Sequence, residues 1–271
     1  MHIFKSDGTE IRYRIEGSGE NFLFCWHGFG GGPSDYQEVL PLFAKNSSIV
    51  IPNLKHFFSS DFRTTFSQHV SYAVNFLEQI CDVHRPKKIR MIGHSYGATL
   101  SLAMRLKLTI PVDGHWLLNP MPFAPISLVK NGKIAKLLSQ LERHDGFRDY
   151  VQSAEGRDQV FEAARVFRIG TAGQNEIQRF NERKFVLVEK AMDRFLWIDR
   201  NEDWPRWEAN VRNISDHTID RVIYSDHDSL FSVTDYQSFI QKIRPKKSQA
   251  VAHNGHLILQ DKWQEIFQQE S

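Results

Sequence analysis

Cysteine is almost missing from this chain: 271 residues hold 2, too few for a disulfide framework. Cys25 lies in an apolar run before His27 and Cys81 in a helical stretch, so both read as small buried hydrophobes rather than reactive thiols. Long hydrophobic runs are also missing. The longest, such as Phe22-Leu23-Phe24-Cys25-Trp26, are far too short to span a bilayer. No charge of one sign dominates either. Lys+Arg 34 against Asp+Glu 32 gives a net charge of +2, mixed along the sequence, which excludes a broad nucleic-acid surface. The run Arg244-Pro245-Lys246-Lys247 reads as a solvated loop. Neither H-E-x-x-H nor C-x-x-C spacing occurs, so His227, His253 and His256 beside Asp226 and Asp228 do not make a metal site. No cofactor is expected. The first eight residues carry no signal-peptide hydrophobic region, which makes a cytoplasmic location the expectation.

What remains is an ordinary globular composition, 41% hydrophobic and 24% charged, in a chain long enough for one core plus an insertion. Residues 9–15 alternate apolar and polar like a half-buried strand. Phe22 to Trp26 is continuously apolar, as in a strand covered on both faces. The glycine-rich His27-Gly28-Phe29-Gly30-Gly31-Gly32 follows, then a helical stretch over 35–43 and a strand at 48–51. Residues 69–81 place Val70, Ala73, Val74 and Leu77 at the spacing of an amphipathic helix. Strands at 88–92 and 115–118 flank a helix over 98–106. Alternation of this kind implies parallel pairing with right-handed crossovers. It stops between 123 and 210, where only helical stretches are visible (128–141, 159–167 and 176–197), rich in aromatics such as Phe123, Trp204 and Trp207. It resumes with a strand at 219–224, a helix at 233–243, a strand at 249–252 and a helix at 257–269. Three segments follow: core 1–122, helical insertion 123–210 and core 211–271.

Between the strand at 88–92 and the helix at 98–106 stands Gly93-His94-Ser95-Tyr96-Gly97. A serine between two glycines at a strand-to-helix junction sits on a tight, strained turn that leaves its hydroxyl exposed at the sheet's carboxyl edge. Such a hydroxyl becomes a nucleophile when a base removes its proton during attack. Histidine suits that task because its pKa lies near working pH, and a carboxylate on its other nitrogen fixes the tautomer.

With His27-Gly28-Phe29-Gly30, Tyr224-Ser225-Asp226-His227-Asp228 and Gly255-His256 following the same order, the chain resembles an α/β-hydrolase with a helical cap over nearly its whole length. The resemblance implies an α/β fold with a mostly parallel central sheet flanked by helices and an inserted helical cap. It implies a triad in the order Ser95, Asp228, His256. Asp226 and His253 are the competing acid and base; Ser225, Asp228 and Leu230 fit the usual spacing better. The oxyanion donors would be the backbone N–H groups of Phe29 and Tyr96, and His27, Gly28, Gly30 and His94 would border the substrate. A serine at the elbow excludes the aspartate nucleophile used by relatives that open epoxides or displace halide. One departure stands out: Asn53-Leu54-Lys55-His56-Phe57-Phe58-Ser59-Ser60 lacks the glycines usual in the loop after the next strand.

The expected function is that of a carboxylesterase-like serine hydrolase. It would cleave an ester, thioester, lactone or related acyl bond of a small, partly apolar substrate through an acyl-serine intermediate. A catalytically weak ligand-binding member of the fold, an acyltransferase and a carbon–carbon bond hydrolase would carry the same residues. Oligomeric state is not legible.

Overall fold

The computed structural model describes residues 2–6, 9–29, 31–54, 57, 64–123, 198, 201–214, 218–228, 230–256 and 258–267. The expected cap therefore falls outside the described residues apart from Phe123, Ile198 and 201–210, and with it the helical stretches 128–141, 159–167 and 176–197.

The strands are β1 (His2–Ser6), β2 (Thr9–Glu16), β3 (Asn21–Trp26), β4 (Ser47–Pro52), β5 (Lys88–His94), β6 (Gly114–Leu118), β7 (Arg221–His227) and β8 (Lys247–Asn254). They form one 8-stranded sheet in the order β1-β2-β4-β3-β5-β6-β7-β8. Only β2 runs antiparallel to its neighbours β1 and β4; from β4 to β8 every pair is parallel. The helices are α1 (Leu40–Phe43), α2 (Phe66–His84), α3 (Tyr96–Met104), α4 (Trp204–Val211), α5 (Val233–Ile243), α6 (Ile258–Asp261) and α7 (Trp263–Phe267).

Alternation along the strands sorts side chains onto two faces. Phe22, Phe24 and Trp26 of β3 join the cluster holding Val70 and Leu77 of α2 and Leu100 of α3. Leu23 and Cys25 point the other way, into a cluster with Tyr36, Ile258 and Phe267. Both faces are covered, which is why β3 shows no polar alternation. Every residue of α3 is buried, as expected of a helix without a polar face. Thr65 and Gln68 form a capping box at the start of α2. Glu202 accepts from Ser67 N (3.0 Å), Ser67 Oγ (2.6 Å) and Trp207 Nε1 (2.7 Å), tying the described end of the insertion to that same helix start.

Besides β1, which the sequence reading did not include, three elements differ from it. The helix over 35–43 divides into a 3-10 turn (Pro33–Tyr36) and α1, with Pro41 in the first turn of α1; proline lacks the N–H that a continuous helix requires there. The final helix is two pieces meeting at Lys262. Helix α4 was not anticipated, although Asp203 caps it through Arg206 N (3.0 Å) and Pro205 occupies its first turn.

Three buried histidines make the fold acid-sensitive. Burial pushes His69, His94 and His115 each down to about 3, whereas in the unfolded chain they protonate near 6.5. Below 6.5 the unfolded state binds more protons, so stability falls as pH drops toward 3. At about 1.4 kcal/mol per histidine per pH unit, the three together cost about 4 kcal/mol by pH 5.5. Urea midpoints at pH 7.5, 6.5 and 5.5 should therefore decline steeply over the last step. A flat profile would mean that these rings take up protons without unfolding.

Candidate active site

β5 runs directly into α3 through Ser95, which adopts φ 53° and ψ −122°, a left-handed conformation that non-glycine residues rarely hold. The sequence leaves no alternative there. A methyl added at Gly93 would collide with Ala98, and one at Gly97 with the carbonyls of Trp26 and His27. Ser95 N–H donates to Leu118 O (2.9 Å) and Met121 N–H to Ser95 O (3.3 Å), fixing the turn against the end of β6.

His256 reaches this turn from the loop after β8. Its Nε2 lies 2.6 Å from Ser95 Oγ and its Nδ1 2.7 Å from Asp228 Oδ2. The two side chains are 3% and 0% exposed, so water barely weakens their interaction. Burial pushes the Asp228 carboxyl up. The charge of His256 and hydrogen bonds from His256, Tyr236 and the Leu230 N–H outweigh it, and the group ends below the ordinary carboxylate range.

The structure separates the competitors from this line. Asp226 lies 2.9 Å from His227 Nδ1 and accepts from the His253 backbone N–H at 3.0 Å. His94, beside the nucleophile, donates its Nε2–H to the His256 carbonyl (2.8 Å). Burial, then the neighbouring His256, pushes His94 down to about 3, and it is held neutral.

The loop after β3 lies against the elbow: a methyl on Gly28 would stand 3.0 Å from Ser95 Cβ and 3.1 Å from His94 Nδ1. Both ring nitrogens of His27 are engaged by backbone, Nδ1–H on Gly28 O and Nε2 on the Leu54 N–H (2.8 Å each). This ring pins the β3 loop to the β4 loop. Phe29 follows in the same loop; Gly30 lies outside the described residues, as does most of 55–63. Tyr96 opens α3, with its hydroxyl 2.6 Å from His69 Nδ1. Among the described residues no group of His, Cys, Asp and Glu could hold a metal ion, and no helix is long and apolar enough to cross a membrane.

Two residues at this site were not found from sequence. Asn119 (φ 39°) donates through Nδ2 to the His256 carbonyl (2.8 Å) and Ser225 Oγ (3.0 Å), and accepts from Ser225 N (2.7 Å). Its signal was the Asn119-Pro120 turn after a strand. Tyr236 donates its hydroxyl to Asp228 Oδ2 (2.6 Å); an aromatic at helical spacing gives no hint of that.

Comparison with known proteins bears on the family and the fold. A family model described as "Alpha/beta hydrolase family" matches residues 22–269. A strigolactone esterase from Pisum sativum is 30% identical over 104 residues, 35% of this chain and 36% of that protein. An uncharacterized hydrolase from Bacillus subtilis is 27% identical over 105 residues, 38% of each. The chain thus spans little more than a third of the length of these relatives. Among solved structures, an alpha/beta hydrolase fold protein from Burkholderia ambifaria superimposes with a TM-score of 0.73 at 16% identity, over 98% of this chain and 94% of that one. The haloalkane dehalogenase DbeA from Bradyrhizobium elkani gives 0.69 at 15%, with the same coverage. Identities this low speak for the fold alone.

Proposed function

The chain belongs to the alpha/beta hydrolase family, and from that premise we propose a serine hydrolase that cleaves an ester, thioester, lactone or related acyl bond of a small, partly apolar substrate. One observation carries this reading: the unbroken line from Asp228 through His256 to Ser95, with contacts of 2.7 and 2.6 Å. Ser95 Oγ attacks the acyl carbon as His256 Nε2 takes its proton. Asp228 holds the Nδ1–H and stabilises the imidazolium. The backbone N–H groups of Tyr96 and Phe29 receive the oxyanion. His256 then returns the proton to the leaving group, and water hydrolyses the acyl-Ser95 ester by the same route in reverse. Gly28 lets the loop approach the elbow beside the oxyanion position, while His27 and His94 border the substrate side. The Pisum sativum relative is named an esterase, which favours an ester among the acyl bonds.

The test is hydrolysis of p-nitrophenyl esters of graded chain length, together with labelling by a fluorophosphonate probe. The expected result is a burst of p-nitrophenolate stoichiometric with enzyme, and a covalent adduct on Ser95. Protein that stays unlabelled and inert toward the whole panel would instead be a ligand-binding member of the fold. Preferential transfer of the acyl group to an added alcohol would make it an acyltransferase.

A further inference from the structure

Four donors converge on one carboxylate. Asp228 Oδ1 accepts the backbone N–H groups of Leu230 (2.7 Å) and Phe231 (3.2 Å). Oδ2 accepts His256 Nδ1–H (2.7 Å) and the Tyr236 hydroxyl (2.6 Å). Two of these donors belong to the loop that carries Asp228. The hydroxyl is brought by a different element, α5, on a side chain that is 0% exposed and packed between Tyr224 (ring centroids 4.9 Å) and Phe231 (6.2 Å). Phenylalanine would fill that space without burying a polar atom, and a buried hydroxyl is costly unless it is bonded.

We infer that Tyr236 is a positioning residue for the triad, its hydroxyl sharing Asp228 Oδ2 with the His256 ring and so limiting how strongly that oxygen stabilises the imidazolium. This rests on the reading of Ser95, Asp228 and His256 as a catalytic unit. Each donor on a carboxylate oxygen draws on the same negative charge, so a second donor weakens its hold on the first. The phenol remains a donor throughout, because burial and the adjacent Asp228 push its ionisation well above the ordinary range. Among the described residues, the other titratable groups facing this pair are Ser95 and His94 at the elbow, His27 behind His94, and Asp235 beside Tyr236 in α5. His94 is already neutral at working pH, and Asp235 is occupied by Ser232 N (2.6 Å).

The direction of the effect follows. In Tyr236→Phe, Oδ2 serves the imidazole alone, the imidazolium gains stability, and the base stays protonated to higher pH. The acid limb of kcat/KM against pH, measured with p-nitrophenyl acetate between pH 5.5 and 9, should move up by about 0.5–1 unit. In a Ser95→Ala background, the low-field Nδ1–H proton resonance of His256 should titrate upward by a similar amount. That second arm needs no turnover, so an inactive wild type would sink the hydrolase reading while still testing Tyr236. A limb and a resonance that stay in place or move down overturn the proposal, whatever happens to Tm. Should Tyr236→Phe fail to fold, protein substituted with the more acidic 3-fluorotyrosine must show the opposite shift, and no movement there is equally fatal. Tyr96 does not confuse that comparison, since its hydroxyl meets His69.

Discussion

Ser95→Ala is expected to lower kcat by about 10⁶ and to abolish fluorophosphonate labelling, with the fold retained. The size of the loss follows from removing the hydroxyl proposed as the nucleophile. What survives, on the order of 10³–10⁴ over the uncatalysed reaction, comes from oxyanion donors and substrate positioning alone. Folding should be spared because the backbone N–H of Ser95 keeps its bond to Leu118 O, and alanine occupies less space at the same strained position. Burst kinetics, intact-protein mass and Tm, measured on one preparation, separate loss of chemistry from loss of structure. A variant retaining a tenth of wild-type turnover would show that the hydroxyl is not the nucleophile.

Asp228→Asn should lower kcat by about 10⁴, while Asp226→Asn should change it less than about threefold, because exposed polar changes away from the chemistry cost little. The contrast arises from hydrogen placement. An amide NH₂ facing His256 Nδ1 forces the ring's own proton onto Nε2, where it can no longer accept from Ser95. Asp226 instead lies against His227 at 2.9 Å, and its replacement leaves the ring of His256 untouched. Steady-state rates at pH 7–8 on a p-nitrophenyl ester decide between the two. Equal losses in both variants would mean that acid function is shared.

The local features of the site were legible because they are enforced by neighbours in sequence. Gly93 is needed by the elbow's own contact with Ala98, and the pentapeptide's place between a strand and a helix, with the later motifs in order, pointed to Ser95. Spacing from Ser225 favoured Asp228 over Asp226, and Asp228 is the one whose Oδ2 lies 2.7 Å from His256. Asn119 was invisible for the opposite reason: its bond to the His256 carbonyl spans 137 residues of sequence. Tyr236 bonds across 8 residues, yet its pattern is that of any buried helical aromatic. The strands of the two-faced sheet were readable from apolar runs. The first strand, with Phe4 buried and Ile3 exposed, lacks the apolar run that marked β3 and β4. Pro41 carried enough information to break the helix over 35–43.

β8 is the outermost strand on its side of the sheet, and it delivers His256. The ring proposed as the base is therefore hung from the rim, while the Ser95 hydroxyl beside it is seated in the interior. Asn119, just past inner strand β6, and His94, at the end of inner strand β5, hold the backbone carbonyl of His256. Peripheral elements open more readily than the core, and these two tethers, with the Asp228 contact on the ring itself, hold His256 beside Ser95 against a loosened border.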